Sequence, residues 1–383
     1  MKKILKLIGL LLGSLLFIFL LLRIIWLFNA KKELNIYILD KTVTRIDRPE
    51  HKSFTWILNN RRFVMPNKKA YSHTKDYYGF FPIDIKNEVF DFKSIRINEV
   101  DAYASIFDIA YYADCYGVHS FEWYKGKTKP VYSQKVYGGL NQNDYLLMKK
   151  MIDNKKLVIA EYNMFSTPTN ALVRSKAETL MNIQWTSWAG KYFSNLNINQ
   201  KCGPPEWMKN LYESQHMGVW PTDKGGIVLL NNDGLIELLI EDEHLNSITP
   251  TIITQPEGIA KYGVCESVPF EQWFEFVLPN ENEVVSYLEI DVNAKGEDIL
   301  SKMGLSATTP MVIKDPNGTY FYFCGNFGGN PVQMWTAKIA GGKWVNRFLY
   351  QFNAKNRTIF FHNYYAPLIN TILNDYYALK NES

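Results

Sequence analysis

A run of 22 mostly apolar residues near the amino terminus, Leu7–Phe28, is the strongest constraint on how this chain can fold. At 1.5 Å per residue a helix of this length spans about 33 Å, enough to cross a hydrocarbon core of about 30 Å. Only Arg23 interrupts the run, and its long side chain can reach the headgroups beside Trp26. A cleaved signal peptide, the alternative, would need a small residue where Phe28 stands before a cut after Ala30. Residues 1–33 are therefore predicted to be an uncleaved signal-anchor, a single transmembrane helix.

The basic residues around this span predict its orientation. They are Lys2, Lys3 and Lys6 before it, and Arg23, Lys31 and Lys32 at or after its end. A short basic segment before a first apolar span favours a cytoplasmic amino terminus. We therefore predict a single-pass membrane protein whose body is extracytoplasmic, in the cell envelope.

The rest of the chain has the composition of a folded globular body. The 42 basic and 38 acidic residues leave a net charge of +4, which is too balanced for a nucleic-acid-binding protein. The four cysteines are 87, 63 and 59 residues apart, and the six histidines form no HxxxH or HExxH pattern. The sequence therefore predicts no metal site and no cofactor.

Strands alternate with helices over residues 34–196. Near-continuous apolar runs predict buried strands at 34–39, 107–113 and 156–160. Helical spacing of apolar residues predicts helices that follow them, which are 50–62, 141–154 with Asn141 as its cap, and 170–181. This alternation predicts an α/β domain with an open, mostly parallel sheet and helices on both faces.

Residues 197–383 are predicted to be a β-rich α+β part, either separate from the first sheet or continuous with it. Asn231-Asn-Asp-Gly234 and Asp315-Pro-Asn-Gly318 each lie between two apolar runs, which predicts two hairpins. Apolar spacing predicts a closing amphipathic helix at 364–379.

Each of the three strands predicted in residues 34–196 is followed by an acid: Asp40, Asp114 and Glu161. Ligands of open α/β sheets bind outside the carboxyl ends of the strands, and crowded carboxylates there can take part in acid/base catalysis. These acids and His119, in the loop after Asp114, are the catalytic candidates. Alternatively, the acids cap the following turns and are solvated.

Three further residues near the same edge are candidate ligand-binding groups: Tyr116, Asn163 and Arg174.

The fragment Tyr137-Gly-Gly-Leu-Asn141, followed by a helix, a strand and a sharp turn at Glu161-Tyr-Asn163, resembles the class I glutamine amidotransferase-like superfamily, which has a flavodoxin-like α/β fold. The resemblance covers about residues 34–181. It implies that Gly138 and Gly139 contribute to an oxyanion or ligand site and that a nucleophile lies on the turn. This turn lacks the family's cysteine, so glutamine hydrolysis is not expected, since carboxylates and phenols are poor acyl nucleophiles.

Aromatic clusters extend the functional prediction. Trp185, Trp188 and Tyr192 lie close together, and flat rings can stack on sugars, although they also fill cores. We therefore predict a membrane-anchored protein that binds or processes an envelope component such as a glycan. The alternative is a non-catalytic, membrane-tethered scaffold or assembly protein. A third possibility is a hydrolase that uses two carboxyl groups about 5 to 9.5 Å apart, and the sequence leaves open whether the chain is an enzyme.

Overall fold

The computed structural model describes residues 2–124, 133–200 and 202–382. The described helices are α1 (Lys2–Leu27), α2 (Pro49–Asn60), α3 (Val100–Ile106), α4 (Ser120–Trp123), α5 (Gln142–Asp153), α6 (Ala171–Leu180), α7 (Glu206–Gln215), α8 (Pro256–Tyr262), α9 (Ala294–Lys302), α10 (Gly342–Tyr350), α11 (Lys355–Phe360) and α12 (Ala366–Glu382). The described strands are β1 (Lys32–Glu33), β2 (Ile36–Asp40), β3 (Phe63–Val64), β4 (Tyr78–Asp84), β5 (Val89–Lys93), β6 (Ile109–Asp114), β7 (Val118–His119), β8 (Lys135–Tyr137), β9 (Leu157–Glu161), β10 (Gln184–Phe193), β11 (Gly226–Asn231), β12 (Ile236–Ile240), β13 (Thr251–Thr254), β14 (Ser267–Pro269), β15 (Phe274–Leu278), β16 (Glu283–Glu289), β17 (Thr308–Lys314) and β18 (Tyr320–Phe323). A π turn, Phe361–Tyr365, joins α11 to α12.

Helix α1 contains the predicted membrane span. Among the described residues it is the one helix long and apolar enough to cross a membrane, and its apolar stretch is not buried against the body. An uncleaved anchor and a signal sequence both fit such a helix. Membrane anchoring and orientation therefore stay predictions.

Ten of the described strands form one mixed sheet, in the order β14-β13-β16-β17-β18-β9-β6-β2-β4-β5. The five neighbouring strands from β18 to β4 are parallel, and three of them, β2, β6 and β9, are the strands predicted in residues 34–196. The prediction of a mostly parallel sheet is wrong for the sheet as a whole. Hairpins explain the difference, because β17 and β5 pair antiparallel with the two outer parallel strands and antiparallel pairing continues beyond β17.

The parallel strands have a doubly wound order. Numbered along the chain from β2, they lie in the order 2-1-3-4-5 when read from β4 to β18. This is the strand order of flavodoxin-like sheets. In it the second strand is added on one side of the first strand, and the third and later strands are added on the other side. The carboxyl ends of β2 and β6 therefore flank the switch point of the sheet.

Helices cover both faces of this sheet, as predicted. In β6, Tyr111 stacks on Phe54 of α2 with 4.0 Å between ring centroids, whereas the hydroxyl of Tyr112 donates to the carbonyl of Asp144 in α5 at 2.8 Å. Successive residues of a strand point to opposite faces, so α2 and α5 lie on opposite sides. The buried apolar side chains of both faces belong to one large core.

A second described sheet is antiparallel throughout, in the order β12-β11-β10-β15. It contains the first predicted hairpin, β11–β12, and the larger sheet contains the second, β17–β18. Both sheets include strands from residues 34–196 and from residues 197–383. The β-rich part is thus hydrogen-bonded to the α/β part as a continuation of its sheet.

Candidate functional site

Asp40 and Asp114 lie side by side at the carboxyl ends of neighbouring parallel strands. Asp40 ends β2, Asp114 ends β6, and the two residues are paired in the strand register. These strand ends flank the switch point, where open α/β sheets bind ligands. We call Asp40, Glu50, His51, Asp114 and Asn163 the strand-end cluster.

Helix α2 supplies a partner for Asp40. The helix begins at Pro49, whose fixed φ suits a first helical position, so Glu50 and His51 lie in its first turn. His51 Nδ1 is 2.5 Å from Asp40 Oδ2, and His51 Nε2 is 2.7 Å from the carbonyl oxygen of His73. Sequence reasoning missed His51, since no local pattern relates it to residue 40.

The pKa of Asp114 lies near neutral pH. Burial and the neighbouring Asp40 carboxylate raise the pKa of Asp114 to about 7, although hydrogen bonds from the Tyr116 amide, Thr42 and Asn163 favour its ionised form. A carboxyl group with such a pKa can both donate and accept a proton near neutral pH. Such a pKa suits the catalytic role predicted for Asp114, which stays a prediction.

Glu50 adds a third carboxyl group that sequence reasoning missed. Burial, followed by the Asp40 carboxylate, raises the pKa of Glu50 well above its ordinary value. Its Oε2 atom is buried and has no hydrogen-bond partner among the described residues. Glu50 thus places beside Asp40 a buried carboxyl oxygen that has no hydrogen-bond partner among the described residues.

Asn163 occupies the sharp turn that follows β9. Its φ is +68°, a left-handed conformation that few residues other than glycine adopt. Its backbone amide donates to Glu275 Oε1 at 2.9 Å, while the Tyr322 hydroxyl donates to Glu275 Oε2 at 2.5 Å. Burial raises the pKa of Glu275 to about 7. Glu275 lies on β15, so only the tertiary structure relates it to this turn.

Glu161 has a different set of partners. Its Oε1 accepts from the hydroxyls of Tyr111 at 2.6 Å and Tyr365 at 3.2 Å, and its Oε2 accepts from the amides of Phe327 at 3.0 Å and Gly328 at 2.8 Å. Burial outweighs these donors and raises the pKa of Glu161 to about 8. The carboxyl group therefore ties the loop after β18 and the π turn to the end of β9. The structure brings Asp40 and Asp114 together, whereas both oxygens of Glu161 are engaged elsewhere.

The glycine pair packs closely against the loop after β6. A Cβ atom on Gly138 would lie 2.3 Å from the Tyr116 carbonyl oxygen, so glycine is required for this approach. The Gly139 amide donates to the Cys115 carbonyl at 2.7 Å, and its carbonyl accepts from Lys41 Nζ at 2.8 Å. The Gly139 amide is thus occupied by a backbone acceptor in this structure. The oxyanion role implied by the resemblance stays a prediction.

Lys41 forms a buried ion pair behind the glycine pair. Its Nζ lies 2.5 Å from Asp144 Oδ2, and neither side chain is more than 2% exposed. Although burial lowers it, the Asp144 carboxylate raises the pKa of Lys41 overall, so the lysine stays charged.

The remaining candidates from the sequence are Tyr116, His119 and Arg174. The ring of Tyr116 packs on His119 with 4.8 Å between centroids, and the pKa of Tyr116 is raised to about 12 by burial and by nearby carboxylates that include Asp114. His119 Nδ1 is buried and accepts or donates no hydrogen bond among the described residues. Arg174 instead lies over the ring of Trp185 at 5.3 Å and donates to the Phe165 carbonyl at 3.5 Å. These two partners of Arg174 thus lie outside the strand-end cluster.

Among the described residues, no three His, Cys, Asp or Glu side chains are arranged to hold a metal ion. The strand-end cluster nevertheless offers two ionisable carboxyl groups, an unpaired carboxyl oxygen and an amide within one polar site. Such a set can bind hydroxyl groups and can exchange a proton with a ligand.

No model of a known protein family matches the chain, and no curated protein matches it. Among solved structures, the chain is similar to a ThuA-like protein from Bacteroides uniformis, with a TM-score of 0.36 and 9% sequence identity over 88% of this chain and 93% of that one. A likeness of this size adds nothing to the reasoning about activity.

Proposed function

We propose that the chain is a membrane-anchored protein of the cell envelope that binds a polyhydroxylated ligand, a glycan, at the strand-end cluster. The domain around this cluster would be an amidotransferase-like α/β domain that lacks the catalytic cysteine. The observation that carries the proposal is the adjacency of Asp40 and Asp114 at the switch point of the sheet.

The chemistry of the cluster suits sugar hydroxyls. Carboxylates accept hydrogen bonds from hydroxyl groups, and the Asn163 amide can both donate and accept. Tyr116 lies half-buried next to Asp114 and offers an aromatic face for a sugar ring. The unpaired Glu50 oxygen would gain a partner from a bound hydroxyl group.

The same residues limit the reactions that the site can support. The nearest thiol, Cys115, is buried, and burial raises its pKa, so it is not a thiolate nucleophile at neutral pH. Asn163 stands on the turn after β9 and is not a nucleophile of the covalent type. Any processing of the ligand would therefore use proton transfer by Asp114 rather than an acyl-enzyme intermediate.

The proposal is tested by thermal unfolding of the detergent-solubilised full chain with monosaccharides and envelope glycan fragments. A ligand that binds only the folded state raises the midpoint of unfolding. We expect such a shift in the wild type and in Asp223→Asn, a control at an exposed carboxylate, and its loss in Asp114→Asn and Asp40→Asn. A shift that survives in Asp114→Asn and Asp40→Asn would contradict a site at the cluster.

A membrane-tethered scaffold is the second candidate function, and the burial of the acids favours it. Asp40 is 0% exposed and Asp114 is 5% exposed, so both could serve only to hold the strand ends together. In that case no glycan would shift unfolding, and crosslinking in membranes would capture a protein partner on another surface.

A further inference from the structure

Helix α10 turns an aromatic face away from the body of the protein. Trp344 and Phe348, one turn apart, are 67% and 66% exposed, and Phe352 just beyond the helix is 85% exposed. Asn346 lies on the opposite side of the helix and is fully buried. The usual arrangement of a surface helix is thus inverted, since apolar residues normally face the core.

Hydrogen bonds from Asn346 hold this inverted orientation in place. Its Oδ1 accepts from the Gln333 amide at 2.9 Å, and its Nδ2 donates to the Pro331 carbonyl at 3.2 Å. Its Nδ2 also lies 3.3 Å from His362 Nε2. The side of α10 that carries Asn346 is therefore hydrogen-bonded to the body, and the helix cannot rotate to bury Trp344 without breaking these bonds.

The exposed face lies next to the predicted membrane span. The ring of Trp335 is 6.1 Å from that of Phe19, and the Ala340 amide donates to the Leu22 carbonyl at 2.9 Å. Arg23 Nη1 also donates to the Lys338 carbonyl at 3.3 Å. The segment before α10 is thus attached along the last turns of α1.

The end of α1 is fastened to the same side of the body. Trp26 Nε1 donates to the Asn60 carbonyl at 3.2 Å, and Arg62 lies over the Trp26 ring at 5.0 Å while its Nη1 donates to the Asn29 carbonyl at 2.7 Å. Asn60 ends helix α2, whose first turn carries Glu50 and His51 of the strand-end cluster. The span and the cluster are therefore at opposite ends of one helix, about 18 Å long.

Positive charge accompanies the aromatic face. Arg61, Lys343 and Arg347 form no ion pair among the described residues, and burial and the other two cations lower the pKa of Lys343. Arg61 and Lys343 line a cavity of about 260 Å³ beside Trp344. A cluster of cations without carboxylates is complementary to phosphate groups.

We infer that Trp335, Trp344, Phe348 and Phe352 lie in the interface of the membrane that α1 spans, on a leaflet that contains anionic phospholipid. Amphipathic helices with aromatic residues on one side and cations beside them lie in the membrane interface in this way. The contact would hold the body against the bilayer with the strand-end cluster facing away from it. The inference rests on the anchor of the proposed function.

The test uses the full chain in liposomes of phosphatidylcholine with phosphatidylglycerol, in a Cys202→Ser background, since Cys202 is the exposed thiol among the described cysteines. A nitroxide label is attached to the new thiol at position 348 in Phe348→Cys or, in a separate sample, at position 352 in Phe352→Cys. The control label is attached at position 233 in Asp233→Cys, in the exposed β11–β12 turn. This turn lies on the side of the strand ends, since the neighbouring Asn232 contacts Thr167, which follows β9. We expect the labels at 348 and 352 to collide several-fold more with oxygen than with a water-soluble nickel chelate, and the control to show the reverse.

Two results would overturn the inference, and they are distinguishable. If the chain resists alkaline extraction but the labels at 348 and 352 are as accessible to nickel as the control, α1 is an anchor and α10 lies in water. If alkali extracts the chain, α1 does not anchor it in the membrane, and the proposed function is contradicted as well. A second expected result is that Lys343→Gln with Arg347→Gln reduces the protection of the label at 348 in liposomes with phosphatidylglycerol and leaves it unchanged in pure phosphatidylcholine.

Discussion

His51 Nδ1 lies 2.5 Å from Asp40 Oδ2, and both side chains are completely buried. The other ring nitrogen of His51 faces the carbonyl of His73, which can only accept, so Nε2 carries a proton. A second proton must then lie between Nδ1 and Oδ2. The pair has no net charge whichever atom holds this proton, which allows Asp40 to be buried beside Asp114.

Removal of His51 is expected to leave the buried Asp40 without the group that shares a proton with it, and the Thr42 amide, 3.0 Å from Oδ1, would still donate to it. We predict that His51→Leu lowers the free energy of unfolding at pH 7 by about 3–5 kcal/mol, the usual cost of breaking a buried pair. The matched control is His216→Leu, because His216 is half-exposed and its contact with Glu237 at 3.4 Å is worth at most about 1 kcal/mol. Urea denaturation in detergent measures both, and equal losses would contradict the role assigned to His51.

The raised pKa of Asp114 predicts how stability depends on pH. Its pKa is about 7 in the folded chain and near 3.8 when unfolded, so the folded state holds the proton more tightly. The contribution of Asp114 to stability therefore falls as the pH rises from about 4 to about 7 and is constant above that. Asp114→Asn does not titrate, so its stability relative to wild type should rise over the same interval.

This prediction is checked by urea denaturation of both chains at several pH values. Part of the slope should remain in Asp114→Asn, since Glu161 and Glu275 also have raised pKa values, about 8 and about 7. Parallel curves for the two chains would show that Asp114 does not titrate in this range.

Glu161 is expected to be more important for stability than an exposed acid. In Glu161→Leu the amides of Phe327 and Gly328 lose their acceptor, at a cost of about 1–3 kcal/mol for each buried donor. Glu161→Gln keeps one acceptor oxygen and should lose less. Glu257→Leu, at an exposed position of α8, should stay within about 0.5 kcal/mol of wild type.

Denaturant unfolding and glycan thermal shifts separate the two possible roles of Glu161. A Glu161→Gln chain of unchanged stability that no longer responds to a ligand would place Glu161 in the functional site, where the sequence predicts a catalytic residue. A stability loss with an intact ligand response would make it a residue that holds the strand end in place.

Gly79 is expected to be essential for the position of Asp40. It pairs with Asp40 in the register of β4 and β2, its φ is +121°, and a Cβ atom there would lie 1.7 Å from the Asp40 carbonyl oxygen. Gly79→Ala should displace the end of β2 and abolish any ligand shift. Gly318→Ala is the control, since Gly318 also has a positive φ of +72° but no neighbour within 4 Å of such a Cβ atom.

The control should cost only the conformational strain, about 1–2 kcal/mol. Gly79→Ala should cost clearly more in the same denaturation experiment. Equal costs for the two glycines would mean that β4 can move away from Asp40 without consequence.

The elements predicted correctly are those whose signals are local. The strands at β2, β6 and β9 are continuous apolar runs, and their prediction is confirmed. Helix α5 begins after its predicted cap, Asn141, whose side chain accepts from the amides of Asn143 and Asp144. Helix α6 lies within the predicted range 170–181. Such caps and runs act within a few residues, so the sequence shows them directly.

The residues missed at the candidate site depend on contacts between distant segments. His51 and Glu50 reach the cluster because α2 packs over β2, and Glu275 reaches Asn163 from a strand 112 residues away. No periodicity in the sequence reports these approaches. The mixed sheet was missed for the same reason. The local pattern of residues predicts a hairpin, but it does not show which strand of the sheet that hairpin pairs with.

The sequence by itself determined the apolar span of α1, the alternation of strands and helices before residue 196, and the acids that follow three strands, because each depends on neighbouring residues alone. Only the tertiary structure decided which acids meet. Strand order brings the end of β2 against that of β6, which joins Asp40 to Asp114, while burial and hydrogen bonding direct Glu161 to Tyr111, Tyr365 and the loop after β18. Proximity and desolvation, which set the pKa values of these carboxyl groups, arise from long-range packing.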